Sequence, residues 1–187
     1  GAVDTPSVPL TLALALRSAC DLECPFCFVA DNRFEKFISA QAADGKPLRR
    51  MMPTEMAISL IDDAANIGIP AIKFNWRGES TLHKDYTKIV LYAKDKGVFH
   101  DLMANSNFNF RPHALEGIMA MTKLMVSLDS TIPEIHAKMR VGADYDRVIG
   151  NIRSVIARGH PNFWVRRVRT RINEHEPFLE RCRKLFG

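Results

Sequence analysis

The stretch Cys20-Asp21-Leu22-Glu23-Cys24-Pro25-Phe26-Cys27 contains three of the four cysteines in this sequence, and the fourth, Cys182, lies near the other end. A secreted disulfide framework would spread its cysteines in pairs, so this clustering indicates metal binding in a reducing compartment. Thiolates bind soft metals and iron–sulfur clusters. Three thiolates on one loop can hold three irons of a [4Fe–4S] cube and leave the fourth iron open to a small molecule.

A structural zinc site is the alternative interpretation of these cysteines, with Cys182 or a histidine as its fourth ligand. That interpretation leaves the polar motifs further along the chain unexplained. Cys182 falls in a predicted terminal helix, where we interpret it as a packed or surface thiol.

The composition is that of an ordinary globular domain. The 187 residues are 47% apolar and 25% charged, which excludes a disordered tail, a fibrous repeat and a disulfide-dense miniprotein. The net charge of +5 permits a polyanionic partner without requiring one. No apolar stretch is long enough to span a membrane, so we expect no membrane span. The clustered cysteines indicate a reducing compartment, and we expect a cytoplasmic protein.

Apolar strands alternate with helices five times after an N-terminal arm of residues 1–9. The pattern predicts strands at residues 10–16, 71–76, 100–104, 123–128 and 163–172, and helices at about 53–68, 85–96, 112–119, 145–158 and 177–186. Such alternation is typical of an α/β fold with parallel strands and right-handed crossovers. The polar motifs follow the strands, at the edge where parallel α/β folds bind ligands. Residues 28–52 are predicted to form a polar loop.

The fifth predicted strand is rich in arginine. Period-two alternation places Arg167, Arg169 and Arg171 on one face with Val165, either inside a polar barrel or on a solvated edge. Five strands are too few to close a barrel of the common type, so we expect this strand to lack a partner on one side. The opening would admit a large substrate, or be covered by a further segment or a partner chain.

From about residue 10 onward the sequence resembles the radical S-adenosylmethionine (SAM) superfamily. The cysteine spacing is the CxxxCxxC signature of that superfamily, and Phe26 is the aromatic residue expected before the last cysteine. Gly78 and Glu79 match the centre of its Gly-Gly-Glu-Pro motif, whereas Arg77 and Ser80 depart from it.

Two later segments extend the resemblance. Asn105 lies where many members carry Thr-Asn-Gly after the third strand. The stretch Ser127-Leu128-Asp129-Ser130, followed by Glu134, His136 and Arg140, is similar to the Ser-Ile-Asp-Gly region of the peptide-modifying branch. The C-terminal extension of that branch is absent from this sequence.

The resemblance implies a partial (βα) barrel, open on one side. Family cores usually have six βα units, so a core at residues 10–187 would lack the sixth. The implied cofactors are a [4Fe–4S] cluster on Cys20, Cys24 and Cys27, and SAM. The implied SAM contacts are Phe26, Gly78, Glu79, Asn105, Ser127 and Arg140.

The resemblance also implies an activity. An electron from a flavodoxin-type or ferredoxin-type donor would cleave SAM, and the resulting 5′-deoxyadenosyl radical would take hydrogen from a substrate, with a peptide as the implied class. The alternative is a truncated or repurposed core that binds a cluster, or a nucleic acid, without turnover. The individual residues have alternatives too: Glu79 as a helix cap, Asn105 and Ser127 as turn residues, and Arg140 as a surface charge.

Overall fold

The computed structural model describes residues 7–31, 51–75 and 77–187, and these form one open sheet of five parallel strands in the order β1-β2-β3-β4-β5. The strands are β1 (Leu12–Ala13), β2 (Ala71–Lys73), β3 (Asp101–Ser106), β4 (Lys123–Ser127) and β5 (Phe163–Arg166). The predicted parallel α/β arrangement is therefore confirmed. Residues 1–6, residues 32–50 of the predicted polar loop and Trp76 lie outside the described residues.

Six α-helices connect or follow these strands in the described residues. They are α1 (Thr54–Asn66), α2 (Tyr86–Asp95), α3 (Leu115–Met119), α4 (Pro133–Met139), α5 (Tyr145–Ala157) and α6 (Phe178–Phe186). Short 3-10 helices lie at Phe28–Ala30, Ser80–Leu82 and Pro112–Ala114. No helix in the described ranges is long and apolar enough to cross a bilayer.

The two faces of the sheet differ in character. One face packs against the helices, where register pairs such as Leu12 with Ile72 and Ala104 with Leu124 join a continuous hydrophobic core. Because side chains alternate along a strand, the intervening residues lie on the other, concave face. That face carries Asn105 on β3, which pairs in register with Met125 on β4.

Several predicted element boundaries need correction, beginning with β1, which spans Leu12–Ala13 instead of residues 10–16. Asn105 lies within β3 rather than after it, because β3 continues to Ser106. The sequence pattern did not predict α4, a helix of seven residues that opens at Pro133. Strand β5 ends at Arg166 instead of residue 172, and β2 ends at Lys73.

The chain leaves the sheet after β5 because Asn173 holds it in a turn. The Asn173 side chain is almost fully buried, and its Nδ2 donates to the carbonyls of Val168 and Asp129 at 2.8 and 2.7 Å. Arg167 donates to the Asn173 carbonyl and places its guanidinium 4.8 Å from the centre of the Phe178 ring. The strand therefore stops before the predicted arginine face, but Val165, Arg167 and Arg169 still line one cavity, and Arg171 is not among its lining residues.

The other side of β5 has no strand partner among the described residues, as expected. Its concave face carries Trp164, which is 63% exposed, and Arg166, which pairs in register with Ser127. The division into an arm and a core at residue 10 stays a prediction.

Candidate SAM and iron–sulfur site

The cysteine loop, residues 20–27, follows β1 at the carboxyl edge of the sheet, where the sequence placed it. Cys24 is buried, and Cys20 and Cys27 are partly buried; none of the three is in a disulfide. The amide of Cys27 donates to the Cys24 carbonyl at 2.9 Å, which turns the loop back on itself. The loop lines a cavity of about 630 Å³ together with the residues that follow it; the lining is Glu23, Cys24, Pro25, Phe26, Cys27, Phe28, Ala30 and Asp31.

Burial disfavours the thiolate forms of Cys20 and Cys24 in the absence of iron. Burial raises the pKa of the Cys20 thiol to about 12, since a thiolate there would lose its hydration. Burial also raises the pKa of Cys24, although the nearby Arg140 guanidinium opposes the shift. A bound metal centre would supply the positive charge that these thiolates need.

The donor set suits a cluster better than a single ion. No group of three or more His, Cys, Asp or Glu side chains in the described residues is arranged around one ion position. A cube does not require convergence on one point, because each thiolate binds a different iron. Cys182 lies on α6 and packs against the hydrophobic core. The position of Cys182 and the lack of a donor group around one ion position in the described residues both count against the zinc interpretation.

Gly78 lies directly against the segment that leads into Cys20. Its φ of +64° is in the left-handed region, and a Cβ there would be 2.4 Å from the Ala19 carbonyl oxygen and 2.6 Å from that of Arg17. The next amide, that of Glu79, donates to the same Ala19 carbonyl at 3.0 Å. Only glycine allows this close approach, so the Gly78-Glu79 pair fixes the entry to the cysteine loop.

Glu79 is a buried carboxylate held by three hydrogen bonds. Its Oε1 accepts from the Thr81 amide at 3.1 Å and the Thr81 hydroxyl at 2.8 Å, and its Oε2 accepts from the Asn107 amide at 2.8 Å. The side chain thus caps the short helix Ser80–Leu82, as the alternative interpretation holds. Burial still raises its pKa, and no ion pair joins it to a cation in the described ranges. A buried carboxylate in this position is suited to receive an ammonium group.

Arg140 lies at the end of α4 and reaches the cysteine loop. Its Nη1 is 3.8 Å from Cys24 Sγ, and its guanidinium carbon is 5.4 Å from the centre of the Phe26 ring. Its Nε donates to Asp129 Oδ2, and Asp129 is fully buried after β4. Arg140 is therefore an oriented, mostly buried cation rather than a surface charge. Phe26 itself is 40% exposed beside the cavity.

Asn105 and Ser127 contact each other and lie on the concave face. Ser127 Oγ donates to the side-chain oxygen Oδ1 of Asn105 at 3.0 Å. The backbone amide of Asn105 donates to Asn75 Oδ1 at 3.2 Å. These contacts hold β2, β3 and β4 together near their carboxyl ends. Their role as SAM contacts, like those of Gly78, Glu79, Phe26 and Arg140, stays a prediction.

The sequence interpretation assigned no role to four polar residues of this site. Asp21 accepts hydrogen bonds from the side chains of Asn107 and Asn109, and Asp129 orients Arg140. Asn107 belongs to the polar run Asn105-Ser106-Asn107. Nothing local in the sequence pairs that run with Asp21, because the pairing depends on how β1 and β3 are arranged.

A parallel α/β sheet with a three-cysteine loop, a buried glutamate and an oriented arginine at its carboxyl edge defines a class of cluster-dependent enzymes. Residues 16–178 match the Radical SAM superfamily, and the chain belongs to that superfamily. The predicted cofactors of this family, a [4Fe–4S] cluster and SAM, are thereby confirmed.

Individual relatives act on different substrates. A probable GTP 3′,8-cyclase of Methanocaldococcus jannaschii is 26% identical over 148 residues, which cover 78% of this chain and 45% of that protein. The PqqA peptide cyclase of Bradyrhizobium diazoefficiens is 29% identical over 103 residues, which cover 55% of this chain and 24% of that protein. The chain spans less than half the length of these curated relatives.

A solved structure shows the same fold. Streptococcus suis SuiB bound to S-adenosylmethionine superimposes with a TM-score of 0.73 at 17% identity, covering 96% of this chain and 38% of that one. This match and the sheet order confirm the predicted partial barrel of the radical SAM type, which is open beside β5 in the part of the chain that the structure describes.

Proposed function

We propose that this chain is the core of a radical SAM enzyme that cleaves SAM reductively and uses the radical to take hydrogen from a substrate. The observation that carries the proposal is the convergence of three segments on one cysteine loop: Gly78-Glu79 after β2, Asn107 after β3 and Arg140 after α4. The first two segments follow the carboxyl ends of β2 and β3, where ligands bind in this fold, and Arg140 reaches the same edge from the end of α4.

Different residues of the chain would bind the cluster and SAM. Cys20, Cys24 and Cys27 would hold three irons, and the cavity beside Phe26 leaves room for a ligand on the fourth. Glu79 would accept the SAM ammonium group, and Arg140 would face its carboxylate. When bound, the cluster and SAM together supply an electron transfer that releases a 5′-deoxyadenosyl radical.

We propose a peptide as the substrate class and a flavodoxin-type or ferredoxin-type protein as the electron donor, in the cytoplasm. The peptide proposal is supported by the PqqA peptide cyclase relative and by the segment from Ser127 to Arg140. The open concave face beside β5, with Trp164 exposed and Arg166 next to Ser127, would be available to a large substrate. The core would draw on a further segment or a partner chain to cover that edge.

Anaerobic reconstitution with iron and sulfide, followed by a dithionite assay for 5′-deoxyadenosine, tests the proposal. The expected protein binds about four irons and releases 5′-deoxyadenosine from SAM. Alanine variants of Cys20, Cys24 and Cys27 should each lose the cluster, whereas Cys182→Ala, the matched control, should keep it. Equal iron loss in the Cys182 variant would contradict the ligand assignment.

The alternative function is binding without turnover, of a cluster alone or of a nucleic acid through the arginines near β5. A protein that loads four irons and binds SAM but releases no 5′-deoxyadenosine would support it. Retention of a labelled single-stranded oligonucleotide at physiological salt would distinguish the nucleic-acid form of this alternative.

A further inference from the structure

Two asparagine side chains converge on the carboxylate next to the first cluster cysteine. Asn107 Nδ2 donates to Asp21 Oδ1 at 2.8 Å, and Asn109 Nδ2 donates to Asp21 Oδ2 at 2.8 Å. Both asparagines are buried, at 6% and 7% exposure. Each carboxylate oxygen therefore has its own amide donor, which fixes both the position and the rotation of the Asp21 side chain.

Further hydrogen bonds determine which way each amide points. Asn107 Oδ1 accepts from the Asn109 backbone amide at 2.9 Å. Asn109 Oδ1 accepts from the Asp144 amide at 3.1 Å and from Arg147 Nη1 at 3.2 Å. Because both carbonyl oxygens are occupied by donors, the NH₂ groups must face Asp21.

The residue between the asparagines holds them in this arrangement. Phe108 has a φ of +59°, a left-handed conformation that is uncommon for a bulky side chain. Its ring is fully buried, with ring centres 5.2 Å from Phe110 and 5.8 Å from Phe163. Asn151 Nδ2 donates to the carbonyls of Phe108 and Phe110, so the segment is held from its other side as well.

Asn107 has a second contact that Asn109 does not share. Its Nδ2 is 3.8 Å from Cys20 Sγ, while the same sulfur is 3.7 Å from Asp21 Oδ1. A thiolate beside a carboxylate is disfavoured, and an amide donor close to both moderates that repulsion. Hydrogen bonds to cluster sulfurs are also one of the means by which proteins set the reduction potential of an iron–sulfur cluster.

We propose that Asn107 and Asn109 are positioning residues that hold Cys20 in place for the cluster through Asp21, and that Asn107 additionally makes the cluster easier to reduce. The inference rests on the proposed cluster site. The first part concerns the protein before iron binds, and the second concerns the loaded protein, so the two can fail separately.

Thiol alkylation of the iron-free, full-length protein tests the first part. Asn107→Ser and Asn109→Ser each remove the amide donor and keep an oxygen that can accept a backbone N–H. Mass spectrometry gives the iodoacetamide labelling rate of Cys20 relative to Cys182 in the same molecule. We expect this ratio to rise about tenfold in Asn109→Ser, as the loss of one hydrogen bond to a charged group implies. The rise should be smaller in Asn107→Ser, because that change also removes an amide donor that favours the reactive thiolate of Cys20.

Urea denaturation of each variant separates local from global effects, because global unfolding would move the ratio toward that of the unfolded chain. An unchanged ratio in a variant that is as stable as the wild type would overturn the positioning role. In an Asp21→Ala background, Asn109→Ser should add nothing, because both changes remove the same contact. An additive effect there would show that Asn109 acts by another route.

A redox titration of the reconstituted proteins tests the second part. Asn107→Ser should shift the midpoint of the cluster to a more negative potential, while Asn109→Ser, the matched control, leaves it at the wild-type value. Equal midpoint potentials in the two variants would contradict the proposal that the contact between Asn107 and the Cys20 sulfur makes the cluster easier to reduce. A wild-type protein that takes up no iron would overturn the proposed function, while the labelling result on iron-free protein would still decide the positioning role.

Discussion

Replacing Gly78 by alanine should displace the entry to the cysteine loop. An alanine at φ +64° costs about 1–2 kcal/mol for the left-handed conformation alone. Its Cβ would stand 2.4 Å from the Ala19 carbonyl oxygen, whereas an ordinary contact begins at 3.4 Å, so residues 17–19 must retreat by about 1 Å. Overpacking of this kind adds about 1–3 kcal/mol. The expected loss is therefore about 2–5 kcal/mol, together with reduced iron uptake because residues 17–19 lead directly into Cys20.

Gly68 provides the matched control for this prediction. It has a φ of +80°, and a Cβ there would meet nothing within 4 Å, so Gly68→Ala has the conformational cost without the clash. Urea denaturation and iron content after reconstitution should be measured for both variants. We expect Gly68→Ala to lose about 1–2 kcal/mol and to keep its iron. Unfolding free energies that agree within about 0.5 kcal/mol, with equal iron content, would refute the argument from close approach.

Three further predictions concern buried side chains near the site. Burial raises the pKa of Glu79 above 4.5, so the free energy of unfolding gains a contribution from the protonated side chain. This contribution is fully present below pH 4.5 and is lost as the pH rises through the folded-state pKa. Urea denaturation across pH should show the loss in the wild type but not in Glu79→Gln, and identical pH profiles would contradict the prediction. Asp129→Asn should cost about 3 kcal/mol in chemical denaturation because it leaves the buried Arg140 without its carboxylate, and an unchanged midpoint would count against that pairing. Phe108→Gly relieves about 1 kcal/mol of backbone strain but loses about 3–5 kcal/mol of ring burial, so its thermal midpoint should fall rather than rise.

Local spacing made the cluster and the Gly-Glu pair predictable. Cys20, Cys24 and Cys27 lie within one loop, and Gly78 and Glu79 lie next to each other in the loop that follows β2. Their positions therefore needed no knowledge of tertiary contacts. The same holds for the parallel order of the strands, which follows from the alternation of strands and helices.

The remaining features depend on contacts that a sequence pattern does not contain. Strand β5 was predicted too long because alternation continues past Arg166, whereas the buried Asn173 draws the chain away from the sheet. Helix α4 was missed because a segment of seven residues offers too little periodicity to recognise. The role of Asn107 depends on Asp21, a residue 86 positions earlier in the chain.

The sequence separation of these contacts has a consequence for synthesis of the protein. Cys24 meets Arg140, a residue 116 positions later, and Asp21 meets Asn109, which is 88 positions later. At about 5–20 residues per second, a ribosome needs about 6–23 s to extend the chain from Cys24 to Arg140. During that interval the Cys24 thiol lacks the Arg140 guanidinium beside it, and the cysteine loop is open to oxidants and stray metal ions. Insertion of the iron–sulfur cluster should therefore follow the release of α4 from the ribosome.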